Sequence, residues 1–268
     1  MKSLPLLYLD EHLAIVNKPA GLLVHRSSID RHENENAMKT LRDQLGQWVY
    51  PIHRLDKPTS GALVFALDKE TARLMTQSFF EKTVSKSYLA VVRGFTKEAE
   101  CIDYPLKEQL DKRADQRADR DKPAQEAVTE YKRLATVELP HAVGRYETAR
   151  YSLIQASPLT GRTHQIRRHM KHAFHPVIGD TKYGDGKQNE FFRGNFDCRR
   201  MLLHAWEIEF AHPYSGHLLG IQAPLDQAFQ SLLIALCWNN CMGSGNTRPL
   251  FEDFFIDKTV EDSPGLRG

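Results

Sequence analysis

The segment His53-Arg54-Leu55-Asp56-Lys57-Pro58-Thr59-Ser60-Gly61 places four ionisable side chains in its first five positions and runs directly into an apolar stretch. A carboxylate set among cations stays ionised, and an ionised, partly desolvated carboxylate is a usable nucleophile. Pro58 fixes one backbone dihedral and Gly61 relaxes another, which suits a loop that must aim a side chain. Asp56 is therefore the first candidate for chemistry. Spacing alone describes a charged turn at a strand entrance equally well.

A second cluster, Thr160-Gly161-Arg162-Thr163-His164-Gln165-Ile166-Arg167-Arg168-His169, is followed by Lys171, His172 and His175. The spacing of Ile166, Met170 and Phe174 predicts a helix within 161–174 that begins near Thr163. On such a helix His164, Arg168 and Lys171 share a polar stripe, and the first amides together with Arg162 form a site suited to phosphate. A solvated basic helix is the plain alternative. His169, His172 and His175 stand three apart, but no Asp, Glu or Cys beside them completes a ligand set, so no metal is assigned. Tyr88, in Lys86-Ser87-Tyr88-Leu89-Ala90-Val91, is by type an ordinary strand residue, and only its company singles it out.

The elements around these clusters follow from apolar period and punctuation. Leu6 to Leu9 and Leu13 to Val16 read as two short strands around a turn at Asp10-Glu11. Met38, Leu41 and Leu45, followed by Gly46, describe an amphipathic helix with a glycine stop. A strand over 61–67 leads to a helix capped by Asp68, with Ala72, Met75 and Phe79 on one face. Further strands are expected over 87–92, 128–134, 150–156, 202–210 and 218–221, and a last helix from Asp226 carries Phe229, Leu232, Leu233 and Leu236. Residues 111–122 alternate Lys and Arg with Asp, which reads as a solvated loop or an RNA-contacting arm. No repeat or flexible linker divides the chain, and the strand order is too irregular for a doubly wound parallel sheet. The expectation is one α/β domain of the α+β type over residues 1–240, with a mixed, largely antiparallel sheet, flanking helices and a tail over 241–268.

Composition narrows the setting. With 268 residues and 41% hydrophobic content the chain can bury an ordinary core. Its 36 Lys and Arg against 34 Asp and Glu leave a net charge of +2, so any nucleic-acid surface must be a local patch. Four cysteines without a CxxC pair indicate neither a disulfide framework nor a zinc ribbon. The N-terminal residues lack the pattern of a signal peptide, and no apolar run approaches the roughly 20 residues that span a bilayer. A cytoplasmic protein with no membrane association is the expectation.

Taken together, these segments resemble the RluA-like pseudouridine synthases from about Leu6 to Pro224. Asp10-Glu11-His12 through Leu23-Val24-His25 is similar to that family's first motif, and His53-Arg54-Leu55-Asp56 to its catalytic signature. Lys86-Ser87-Tyr88, Gly161 to His169 and Leu202-Leu203-His204-Ala205 resemble its later motifs. The resemblance implies that Asp56 is the nucleophile, that Tyr88 stacks on the uracil, and that Arg167 pairs with Asp56. It also makes Arg54, Arg162 and Arg168 candidates for RNA contact. No cofactor or metal is implied. Whether the aspartate attacks C1′, attacks C6 or acts through a glycal stays open.

The early start of the first motif gives the expectation of a catalytic domain without an S4 RNA-binding domain. With His25-Arg26-Ser27, Val49-Tyr50-Pro51-Ile52 and Arg167-Arg168-His169, it narrows the resemblance to members that modify the T arm of tRNA. A monomer acting on tRNA without an obligate protein partner is expected. An enzyme for ribosomal RNA or another tRNA site is the main alternative. A non-catalytic RNA-binding module would not need Asp56, Tyr88 and Arg167 together, and a glycosidase would need a second placed carboxylate.

Overall fold

The computed structural model describes residues 3–25, 35–108 and 123–238, so the charged segment 111–122 and the tail 241–268 lie outside the described residues. β1 (Leu6–Leu9) and β2 (Leu13–Lys18) form a hairpin in which the Asp10 carboxylate accepts from the amides of His12 and Leu13 at 2.8 and 2.7 Å. α1 (Ala37–Leu45) is capped by the Asn36 side chain and stops at Gly46, where φ is 69°. The short β3 (Tyr50–Pro51) and β4 (Ser60–Ala66) bracket the Asp56 loop. α2 (Lys69–Phe80) begins under the Asp68 cap, whose carboxylate accepts from the Thr71 amide, and it buries Met75.

The remaining elements are β5 (Ser85–Arg93), β6 (Ala99–Asp103), β7 (Val128–Leu139), β8 (Ala149–Pro158), α3 (Gln165–His172), α4 (Gly186–Phe196), β9 (Leu203–Ala211), β10 (Leu218–Gln222) and α5 (Gln227–Ala235). Among the described residues, all the strands join one ten-stranded sheet in the order β1-β2-β4-β9-β5-β8-β7-β6, with β3 on β4 and β10 on β9. The sheet is mixed and largely antiparallel, as expected: β4 with β9 is the parallel pairing among the described strands. No helix among the described residues is long and apolar enough to cross a membrane.

The parallel junction is short, Ser60 opposite His204 and Gly61 opposite Ala205, and it joins two antiparallel halves. One rung of residues crosses it: Lys18 faces Gly61, Gly61 faces Ala205, Ala205 faces Tyr88, and Tyr88 faces Ala156. Alternation along β5 then sorts its side chains. Leu89 and Val91 enter the core covered by α4 and α5, while Ala90 and Val92 enter the core covered by α3. Tyr88 packs against both the α3 core and the neighbouring core of Val16, Leu41, Leu55 and Leu63. It therefore marks the seam between two clusters on one face of the sheet.

Three expectations need correction. The basic helix starts at Gln165 rather than near Thr163, and it ends at His172. Phe174, expected on its apolar face, has φ of 62° and is 87% exposed, because the left-handed residue turns the chain away from the core. The strand expected over 128–134 continues to Leu139, and the stretch between Phe174 and Leu202 contains α4, a helix the apolar period did not announce.

Candidate active site

The Asp56 loop is pinned from beneath by Lys18, which is wholly buried. Its ammonium donates to the carbonyls of Pro19, Leu22 and Lys57 at 2.9, 2.7 and 3.2 Å, and the Gly21 amide also donates to Lys57 O, at 2.8 Å. Burial, reinforced by the charge of Arg200 and opposed by Asp56, lowers the Lys18 pKa to about 7. The Thr59 amide donates to the Asp56 carbonyl at 3.0 Å and closes the turn. Leu55 points into the core, and the Asp56 side chain stays 24% exposed.

Arg167 is delivered to this loop by α3, which β7 holds in place through a chain of polar contacts. Gln165 Nε2 donates to the Val128 carbonyl and the Thr129 hydroxyl, both at 2.9 Å. His169 Nε2 lies 3.0 Å from the Tyr104 carbonyl, an acceptor, so it donates there and Nδ1 accepts from the Thr129 hydroxyl at 2.9 Å. Ile166 and Met170 add the apolar contact. Arg167 Nη1 then donates to Asp56 Oδ2 at 2.8 Å. The bidentate edge of the guanidinium faces elsewhere: Nε and Nη2 donate to Asp180 Oδ2 and Oδ1 at 2.7 and 2.9 Å. Burial disfavours the Arg167 charge, but its hydrogen bonds to Asp180 and Asp56 outweigh it and its pKa is raised. Burial likewise opposes ionisation of Asp180, and Arg167 with the amides of Tyr183 and Lys182 holds its carboxyl below the usual range.

His164 faces the other carboxylate oxygen, with Nε2 3.8 Å from Asp56 Oδ1, and its Nδ1 is 2.9 Å from the Tyr183 hydroxyl. Its backbone is left-handed at φ 55°, which turns the ring inward ahead of the helix. Burial lowers the His164 pKa, with Arg167 and Lys182 acting in the same direction and Asp56 and Asp180 against it. Tyr88 has a raised pKa, from burial first and from the Asp56 charge second, so its hydroxyl stays protonated.

The structure thus brings Asp56, Tyr88 and Arg167 together. The three arginines proposed for RNA contact stand differently. Arg54 is exposed, and its charge helps depress the His25 pKa, after burial. Arg168 is half-buried. Arg162 is exposed, with Nε donating to the Glu126 carbonyl at 2.9 Å, and its amide donates to Gln165 Oε1 at 2.9 Å. The open helix-terminal amide expected there is consequently engaged by the Gln165 side chain.

Sequence reasoning missed Asp180, Tyr183 and Lys18. A signal for the first two was present in Gly179-Asp180-Thr181-Lys182-Tyr183-Gly184, where paired glycines bracket a turn-forming Asp. Lys18 carried no signal beyond its place before Pro19.

Residues 12–172 match a family model described as RNA pseudouridylate synthase. The chain is 53% identical over 239 residues to tRNA pseudouridine synthase C of Vibrio cholerae, an alignment covering 89% of this chain and 98% of that protein. It is 54% identical over 237 residues to tRNA pseudouridine synthase C of Haemophilus influenzae, covering 88% and 99%. Among solved structures, human RNA pseudouridylate synthase domain containing 4 superposes with a TM-score of 0.66 at 25% identity, over 87% of this chain and 93% of that one. Human RNA pseudouridylate synthase domain containing 1 gives 0.62 at 26%, over 88% and 95%. A family match that runs through the segments holding both Asp56 and Arg167 shows that the chain belongs to the RNA pseudouridylate synthases, the RluA-like isomerases.

Proposed function

We propose that this isomerase acts on a uridine in the T arm of tRNA, with Asp56 as its nucleophile. The observation that carries the chemistry is the single hydrogen bond from Arg167 Nη1 to Asp56 Oδ2, which holds one oxygen of a side chain that stays 24% exposed, while Oδ1 has His164 Nε2 at 3.8 Å. High identity to two proteins named tRNA pseudouridine synthase C supports the substrate.

Pseudouridine formation breaks the bond from uracil N1 to C1′, turns the base and rejoins it through C5. Attack of the carboxylate at C1′, which expels the uracil, attack at C6 before the N1 to C1′ bond breaks, and a glycal route all need the Asp56 carboxylate aimed at the flipped nucleoside. The contact from Arg167 Nη1 to Oδ2 orients the carboxylate and sets a fixed positive charge beside it. Tyr88 lies on the seam between the two clusters, where its ring can stack on the flipped uracil and its protonated hydroxyl can relay a proton late in the reaction. A base in a stem must first leave its stack at a cost of a few kcal/mol, which phosphate contacts around the site offset. Arg54, Arg162 and Arg168 are the residues assigned to those contacts. A glycosidase reading finds no free acid in Asp180, since its side chain is wholly buried and both oxygens are bound to Arg167.

The substrate is tested with purified enzyme, intact tRNA transcripts, a transcript whose T-arm target is changed to cytidine, and ribosomal RNA fragments. Pseudouridine should form in the intact tRNA alone. Equal modification of ribosomal RNA, or pseudouridine in the cytidine-substituted tRNA, would overturn the assignment.

A further inference from the structure

A guanidinium offers two edges that match a carboxylate, and an arginine left alone with one aspartate can bind both of its oxygens. Here Asp180 takes the Nε and Nη2 edge and fixes the plane of the guanidinium, and Asp56 receives one contact, from Nη1. Asp180 is itself held rigidly. Its Oδ1 accepts from the amides of Lys182 and Tyr183 at 2.8 and 3.0 Å, and its carbonyl accepts from Asn189 Nδ2 at 2.9 Å and from the Gly184 amide at 3.1 Å. Asn189 Oδ1 accepts from the Gly179 amide at 2.7 Å. Gly179, with φ of +80°, lies so close to Arg200 that a β-carbon would stand 2.1 Å from its carbonyl oxygen.

The same turn reaches the other side of the site. The Tyr183 hydroxyl is 2.9 Å from His164 Nδ1, and the Tyr183 ring lies 5.1 Å from the Arg167 guanidinium carbon. Arg167 faces Asp56 Oδ2 and His164 faces Asp56 Oδ1, so both groups that confront the carboxylate are held from behind by one turn.

We propose that the turn 179–184 is the positioning element of this active site, with Asp180 aiming Arg167 and Tyr183 aiming His164 at Asp56. Asp180 fixes the plane and direction of the guanidinium, so that Nη1 meets Asp56 Oδ2 and the other oxygen stays available to react. Tyr183 keeps the imidazole beside that oxygen. This rests on Asp56 being the reacting carboxylate. Displacement of a reacting group by about 1 Å can lower turnover roughly 100-fold without weakening substrate binding. Asp180 and Tyr183 act through other residues and need not touch the RNA.

The test is a double-mutant cycle on tRNA transcripts, with kcat and KM measured for Asp180→Asn, Arg167→Lys and the double variant. Wild-type turnover and its loss in Asp56→Asn, measured first, establish the underlying reading. Asparagine retains an oxygen for the Lys182 and Tyr183 amides, so the turn is kept while the bidentate contact goes. Asp180→Asn should lower kcat about 10- to 100-fold with KM within about twofold of wild type. In the Arg167→Lys background the same substitution should add less than about threefold. A merely structural role would produce the full loss in both backgrounds, and that additive result would overturn the proposal even with Asp56→Asn inactive.

If Asp180→Asn does not fold, Tyr183→Phe decides. It should lower kcat several-fold at unchanged KM in the wild-type background and add nothing in a His164→Gln background. Wild-type kcat in Tyr183→Phe, or equal losses in both backgrounds, would count against the positioning role.

Discussion

Gly61 lies against the backbone of Ala205 so closely that a β-carbon there would stand 2.1 Å from the Ala205 carbonyl oxygen. Its φ of +116° is also a conformation that side chains disfavour. The two residues form half of the parallel junction between β4 and β9, five positions downstream of Asp56. Gly61→Ala should therefore cost about 3 kcal/mol or more in urea unfolding, combining backbone strain with separation of the strands. Gly46→Ala is the control, because Gly46 has φ of +69° but nothing within 4 Å of a β-carbon. It should lose only the strain of about 1–2 kcal/mol. Equal losses would show that the Ala205 contact is not what restricts Gly61.

Much of this arrangement was legible in local signals. Asp68 before its helix and Gly46 after another announce ends that depend on one side chain or one dihedral. β6 was not legible, because Ala99, Glu100, Cys101 and Asp103 give little apolar pattern and the strand is held by its pairing with β7. α4 was hidden for a related reason. Gly186, Asn189 and Gly194 are weak helix formers, and the helix is secured by the Asp185 cap and by Phe191, Phe192 and Phe196 packing into the core. At the site, Asp56, Tyr88 and Arg167 each stand in a recognisable segment. Asp180 stands in a turn that its flanking glycines announce, but its role there was not legible, since it exists only when a helix carries Arg167 back over the turn.

Arg167→Lys should be far more damaging than Arg168→Lys. Arg167 bridges two carboxylates with three donors, and a single ammonium cannot reproduce that fork. Loss of the bidentate contact leaves the buried Asp180 carboxylate less well paired, so stability should fall along with turnover. Arg168 is half-buried, and a phosphate contact from it needs chiefly a charge. Comparable kcat losses in the two variants would contradict these roles.

Acid should destabilise the protein before its carboxylates titrate. His204 is buried, its Nε2 donates to the Ala223 carbonyl at 3.0 Å, and Nδ1 accepts from the Ser60 hydroxyl at 2.7 Å. Burial lowers its pKa from 6.5 to about 4, with the Ala223 carbonyl opposing and the Arg200 charge assisting. The unfolded chain binds that proton below pH 6.5 while the folded protein resists until about pH 4, so this stabilisation is present above 6.5 and is lost as the pH falls. Between pH 7 and pH 5 the unfolding free energy should drop by about 2 kcal/mol from this residue. His204→Gln should be less stable at pH 7 and should show a drop smaller by that amount. An unchanged drop would remove His204 as its source.

Activity should survive exhaustive chelation. His169 commits both ring nitrogens to Thr129 and Tyr104, His175 Nδ1 donates to the Arg93 carbonyl at 2.8 Å, and the His172 ring stacks on Tyr104. These histidines serve packing and do not converge on one point, and among the described residues no group of three or more His, Cys, Asp or Glu could hold a metal. The measurement is kcat before and after EDTA. A loss restored by zinc would contradict it.

Asp56→Asn keeps the shape and size of the side chain and removes its charge, and the amide can still accept the hydrogen bond from Arg167. The variant should keep the wild-type fold and bind tRNA within a few-fold of wild type, because the residues assigned to phosphate contact are untouched. Single-turnover measurement with saturating enzyme and a labelled tRNA transcript separates the chemical step from binding and release. Pseudouridine formation should fall by on the order of 1,000-fold or more. A folded, tRNA-binding Asp56→Asn protein that converts the transcript at a rate within tenfold of wild type would show that the nucleophile is another group.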